Sequence, residues 1–213
     1  PSYNDLKPFS VVIWRAPELF GVLSSGERAA ITNYVNHGGS FLLASMEALT
    51  RLDEANAGDF RSNILQVASY TEDTGVPAIV GTANDPITSG IDLEMDYSVY
   101  EDAFQGILDA DLSDTIVLTT NATPILFDSS PGNIVGMRYP RVGQAGSGRV
   151  IFLSFPLDAV PMTGADPNNR VNLLRNFLTF LAPGVDGLGN IALSSSTYTI
   201  PSLVTVEVAD SDL

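Results

Sequence analysis

The chain has 213 residues, 45% of them hydrophobic, which is enough for one sizeable core and too apolar for a disordered chain. Its 25 acidic residues against 10 basic ones give a net charge of -15, which argues against nucleic acid and anionic membranes as partners. It has no cysteine, which excludes disulfides, thiolate metal sites and cysteine nucleophiles, and no apolar run approaches the ~18 residues of a membrane span.

Phe9 to Trp14 (FSVVIW) is a short apolar run rich in β-branched residues and reads as a buried strand. Ser24 and Glu27 have the spacing of a capping box, and Ile31, Tyr34 and Val35 then share one face of a helix that Gly38 stops. Ser40 to Ser45 (SFLLAS) is the next buried strand, so the order strand, helix, strand indicates parallel β-α-β construction. Helices are expected over 46–53 and 59–69, and a strand over Val76 to Val80. The stretch from Asp85 to Asp114 is loop-rich. Thr115–Thr120, Thr123–Asp128 and Asn133–Arg138 read as three short strands, forming an antiparallel extension over about 115–138, with a turn at Ser129 to Gly132.

Gly148 to Phe155 (GRVIFLSF) is a strong strand pattern. Asp166 and Pro167 are expected to open a helix as N-cap and first-turn residue. Val171, Leu174, Leu178 and Leu181 form its apolar stripe, widened by Leu173, Phe177 and Phe180. After Gly184 the texture becomes linker-like and leads to two strand patterns, Ser194–Tyr198 and Val204–Val208. Two strands do not make a stable sheet alone. They are expected to pack on the main domain, to pair with another chain, or to open a following β-sandwich domain. The loop-like entry PSYNDLKPF predicts a strand and helix upstream, and an internal piece of a larger protein.

The segments YNDLKPFSVVIW, LSSGERAAITNYVNHGGSFLLAS, GSGRVIFLSFPLD and NNRVNLLRNFLTFLAPG resemble the class I glutamine amidotransferase-like superfamily, and most closely ThuA-like and related domains of large secreted bacterial proteins. The likeness covers about residues 3–183. It implies a flavodoxin-like, mostly parallel sheet flanked by helices, as an α/β domain over 1–183. Residues 184–213 are then linker and β tail, whose sequence resembles the opening of bacterial surface β-sandwich repeats.

Ligands of open α/β sheets sit at the carboxyl ends of strands. The resemblance places its nucleophile on the turn after SFLLAS, here Ala44-Ser45-Met46-Glu47, where active members carry cysteine. Ser45 is therefore a degenerate nucleophile position, with Glu47 as the neighbouring carboxylate or, more plainly, with both residues capping the next helix. The one histidine, His37, precedes the strand that Ser45 follows. A strand of six residues spans roughly 17–20 Å, so the two cannot pair. Asp109, Asp111 and Asp114 are candidate calcium ligands or a solvated loop, since calcium needs about six to eight oxygens. Trp14, Tyr97 and Tyr100 are candidate sugar-stacking aromatics or local core.

These readings lead to the expectation of a non-catalytic structural or adhesive module of a secreted or cell-surface protein, with no cofactor except calcium. Its partners would be neighbouring domains of the same polypeptide, and neither nucleic acid nor membrane. The alternatives are a carbohydrate-binding or carbohydrate-processing ThuA-like domain, and a subunit that self-assembles through its C-terminal strands.

Overall fold

A computed structural model describes residues 1–15, 18, 23–101, 111–141, 148–182, 190–193 and 206–209. It is a mixed α/β fold built on a seven-stranded sheet. The helices are α1 (Tyr3–Leu6), α2 (Ser25–Asn36), α3 (Ala48–Glu54), α4 (Gly58–Asn63), α5 (Ser98–Glu101) and α6 (Arg170–Leu181). The strands are β1 (Val11–Arg15), β2 (Ser40–Ala44), β3 (Val67–Thr71), β4 (Ala78–Gly81), β5 (Asp92–Glu94), β6 (Thr115–Leu118), β7 (Thr123–Asp128), β8 (Ile134–Tyr139), β9 (Arg149–Leu153), β10 (Asn190–Leu193) and β11 (Val206–Ala209). Among the described residues no helix is long and apolar enough to cross a membrane.

The seven-stranded order is β1-β2-β9-β8-β7-β4-β5. The β1–β2 and β2–β9 pairs are parallel, and every later pair is antiparallel. The expected mostly parallel sheet is thus parallel only at its start. The reason lies in the connections: the turn around Ser129–Gly132 joins β7 to β8 directly, and a short turn returns the chain antiparallel, whereas parallel pairing needs a long crossover. β2 and β9 are covered on both faces. Phe41, Leu43, Val150 and Phe152 pack beneath α2, α3 and α4, while Leu42, Ile151 and Leu153 pack with Phe177 of α6. Double burial explains why SFLLA and RVIFL are continuous apolar runs rather than alternating ones.

α2 begins as its sequence predicts. Ser24 Oγ accepts from Glu27 N at 3.3 Å, and Ser24 N donates to the Glu27 carboxylate at 2.8 Å. It buries Ile31, Tyr34 and Val35 and ends before Gly38, whose φ of 94° suits glycine. Other expectations are corrected. The helix expected over 59–69 ends at Asn63, because Gln66 takes a positive φ of 55° and Val67–Thr71 become β3. β6, expected in the antiparallel extension, pairs instead with β3 in a separate two-stranded sheet whose Val67 and Ile116 close the core on the α2 side. The final helix starts at Arg170, not Pro167. Asn169 is its N-cap, accepting from Asn172 N at 2.9 Å, and Asp166 instead accepts from the Asn172 side-chain amide. Its buried stripe is Leu173, Phe177 and Leu181 at i, i+4 and i+8, with Val171 and Leu178 exposed. β10 and β11 form an antiparallel ribbon with Asn190 opposite Ala209. The expected strand at 194–198 lies outside the described residues, and Val204–Val208 overlaps β11.

Candidate functional site

The parallel strands β1, β2 and β9 end on one edge of the sheet, and the titratable groups gather there. Ser45 leaves β2 and is tied to the end of β9 by its N–H, which donates to Leu153 O at 3.2 Å. The residue is 1% exposed. Its hydroxyl donates to Glu18 Oε2 at 2.6 Å, and the same oxygen accepts from Met46 N at 3.1 Å and Glu47 N at 3.3 Å. Glu18, on the segment after β1, is itself buried. Burial pushes its carboxyl up to about 7, although the three donors pull the other way.

Glu47 does not approach the Ser45 hydroxyl through its side chain. Its carboxylate pairs with Arg51 Nη2 at 3.0 Å, one turn along α3. Burial raises its pKa, and Arg51 opposes the shift. The expectation that Ser45 and Glu47 cap α3 by their side chains holds for Ser45, whose Oγ accepts from Glu47 N at 3.3 Å, and is corrected for Glu47. Glu47 is the N-cap residue without a side-chain cap bond, and Glu18 shares its amide with Ser45 and takes that of Met46. His37 lies at the other end of β2, exposed, its Nδ1 2.7 Å from Asn33 O and its ring 5.2 Å from that of Tyr3. It has no access to Ser45.

Asp114 is 1% exposed. Its Oδ1 accepts from Asp73 N at 3.1 Å, its Oδ2 has no partner, and its carbonyl accepts from Ser154 Oγ at 2.6 Å just past β9. Burial pushes its carboxyl up to about 8, with Asp73, Glu47 and Glu72 adding to the shift. Asp111 spends its carboxylate on the amides of Val76 and Ser113. Both aspartates therefore brace the 73–76 segment against 111–114. Asp109 lies outside the described residues. Among the described residues no three carboxylates or histidines converge as a metal site.

Of the aromatics, Tyr97 donates its hydroxyl to Val76 O at 3.0 Å and touches Ser113 Oγ at 3.0 Å, and burial raises its pKa. Tyr100 is half-buried, its pKa raised first by burial and then by the carboxylates of Glu18 and Asp158. Trp14 is half-buried against the core on the α2 side. At the rim Asp158 pairs with Arg15 at 2.6 Å and with Arg170 at 3.2 Å. The structure thus brings Ser45, Glu47 and Asp114 to one edge and adds Glu18, which sequence reasoning missed. The available signal was an acidic residue in an otherwise apolar stretch, APELFGVL, placed where such folds bind ligands.

No family model matches the chain, and no curated protein matches it. Solved structures do resemble it. The mmIFT52 N-terminal domain aligns with a TM-score of 0.59 at 14% identity, covering 86% of this chain and 82% of that one. A ThuA-like protein from Bacteroides uniformis aligns at 0.50 and 14% identity, covering 85% and 72%. A cytoplasmic protein from Salmonella typhimurium aligns at 0.50 and 14% identity, covering 84% and 74%. At these identities the likeness is one of fold, and the fold that this chain shares includes that of a ThuA-like protein.

Proposed function

We propose that the chain is a non-catalytic, flavodoxin-like member of the class I glutamine amidotransferase-like superfamily, serving as a structural or adhesive module of a larger extracellular or cell-surface protein. The observation that supports the lack of catalysis is the triple hold on Glu18 Oε2. A serine nucleophile needs a base for its proton and free backbone N–H groups for the oxyanion it creates. Here the hydroxyl and both adjacent amides converge on one protein carboxylate oxygen, so the place of a substrate oxyanion is already filled from within. The 1% exposure of Ser45 adds that no acyl carbon reaches it. The module reading is in keeping with the name of one neighbour, an N-terminal domain of a longer protein.

The test is labelling of the purified chain with a fluorophosphonate that modifies activated serines, followed by intact-mass measurement. The expected result is no adduct on wild type or on Ser45→Ala. Stoichiometric labelling of wild type that disappears in Ser45→Ala would establish a working nucleophile and overturn the reading.

A further inference from the structure

The seven-stranded sheet has two edges, and they are managed differently. β5 is three residues long, exposes Asp92 and Glu94, and has its Asp92 N–H engaged by Asn168 Oδ1 at 2.9 Å. Short length, charge and cover are the usual protections of an edge strand. β1 lacks most of them. It runs five residues in unbroken register with β2, without bulge or proline, and Ile13 is 47% exposed beside Phe9 at 60%. Ser40 N donates to Ser10 O at 3.3 Å, so the peptide groups of Ser10, Val12 and Trp14 turn toward β2. Alternation then directs the N–H and C=O of Val11, Ile13 and Arg15 outward, and among the described residues no backbone group pairs with them.

The chain also carries a two-stranded ribbon, β10 with β11, and two strands alone are marginal in water. Each ribbon strand has four residues, a length that fits the five-residue β1 edge. Charge favours the same match. Residues 190–213 carry Glu207, Asp210 and Asp212 and no basic residue, while residues 1–15 carry Lys7 and Arg15 against Asp5, and the Arg15 side chain stays 84% exposed beside its partner Asp158. The acidic β5 edge would repel the ribbon.

From this we infer that the β1 edge is a strand-addition surface whose occupant is the β10–β11 ribbon of a second copy of the chain. Backbone hydrogen bonds would supply the affinity, as in other strand additions, and the exposed Ile13 the apolar contact. Reciprocal exchange closes a two-fold dimer, and one-way addition builds an open series of copies.

The experiment is sedimentation velocity with native mass spectrometry on the full chain across a concentration series, coupled to hydrogen exchange of the peptides holding Ile13 and Val206–Ala209. The expected result is association in which both peptides become protected together as concentration rises. Ile13→Pro removes an outward N–H without touching the β2 pairing, and Val208→Pro blocks the ribbon. Each is expected to leave a monomer with an unchanged circular dichroism spectrum. A wild-type monomer at every concentration overturns the inference, including one whose ribbon is protected by folding back on its own edge. Association that survives the substitutions also overturns it. Should Ile13→Pro fail to fold, Val208→Pro decides alone.

Discussion

Replacing Glu18 by glutamine tests the central geometry of the site. Glutamine keeps the length of the side chain and one oxygen to accept from Ser45, Met46 and Glu47, but it cannot ionise. The Glu18 carboxyl stands at about 7 in the folded chain against 4.5 unfolded, so the folded state holds the proton more tightly. The contribution of Glu18 to stability is then greatest below pH 4.5, where both states are protonated, and falls between pH 4.5 and 7, above which burial of the charge is fully felt. At 1.36 kcal/mol per unit, a gap of about 2.5 units corresponds to a loss of about 3 kcal/mol. Urea unfolding of wild type and Glu18→Gln, followed by circular dichroism between pH 4.5 and 8, isolates this contribution, because the other carboxylates are common to both proteins. The variant is expected to gain on wild type by about 3 kcal/mol over that window, nearly all of it by pH 7. A difference that stays flat with pH would mean that Glu18 is not buried on the Ser45 turn.

Asp114→Asn keeps an oxygen for Asp73 N and removes a buried charge whose second oxygen has no partner; its urea midpoint at pH 9 is expected to exceed that of wild type. A lower midpoint would show that the ionised form is paired after all. Gly39→Ala would place a methyl 2.3 Å from the Tyr34 ring, which is held by its hydroxyl on Phe9 O, so thermal unfolding is expected to reveal an overpacking loss of about 1–3 kcal/mol. On α6, Phe177→Ala is expected to cost about 3–5 kcal/mol and Leu178→Ala well under half of that. Equal losses would mean that the helix presents the stripe expected from sequence rather than the observed one. Ser45→Ala removes one donor from Glu18 and is expected to cost about 1–3 kcal/mol in chemical denaturation while leaving ligand or partner binding unchanged.

How far these features are legible depends on the range of the interaction that makes them. The capping box at Ser24 and Glu27 and the glycine stop at Gly38 are local, and both appear as the sequence predicts. β2 and β9 are legible because double burial writes a continuous apolar run, whereas β1, expected as a buried strand, is an edge strand with Ile13 47% exposed. Strand direction is not written in composition: β7 and β8 have the same β-branched character in either orientation, and the turn at Ser129–Gly132 is what makes their antiparallel pairing legible, as expected. The boundary between α4 and β3 rests on one residue, Gln66, whose positive φ is sustained by contacts to Asn63 and to Thr119, 53 positions away. The face of α6 was misread because seven apolar residues nearly encircle it, and the periodicity then has no single solution.

The site was half legible for the same reason. Fold likeness located the turn at Ser45, and the length of β2 correctly separated His37 from it. The partner that decides its chemistry lies 27 residues earlier on another strand's exit, and no spacing rule connects the two. The physical logic becomes readable only when the donors are counted. Two amides at the start of α3 and one hydroxyl need an acceptor in a place closed to solvent, and one side-chain oxygen of Glu18 meets all three. The carboxylate does so at the cost of a buried charge, which raises the Glu18 pKa. On the proposed reading the arrangement that satisfies the turn also fills the place of an oxyanion, so a pH-dependent stability and an unreactive Ser45 are two outcomes expected of one contact. A protein in which only one of them held would have to place Glu18 elsewhere.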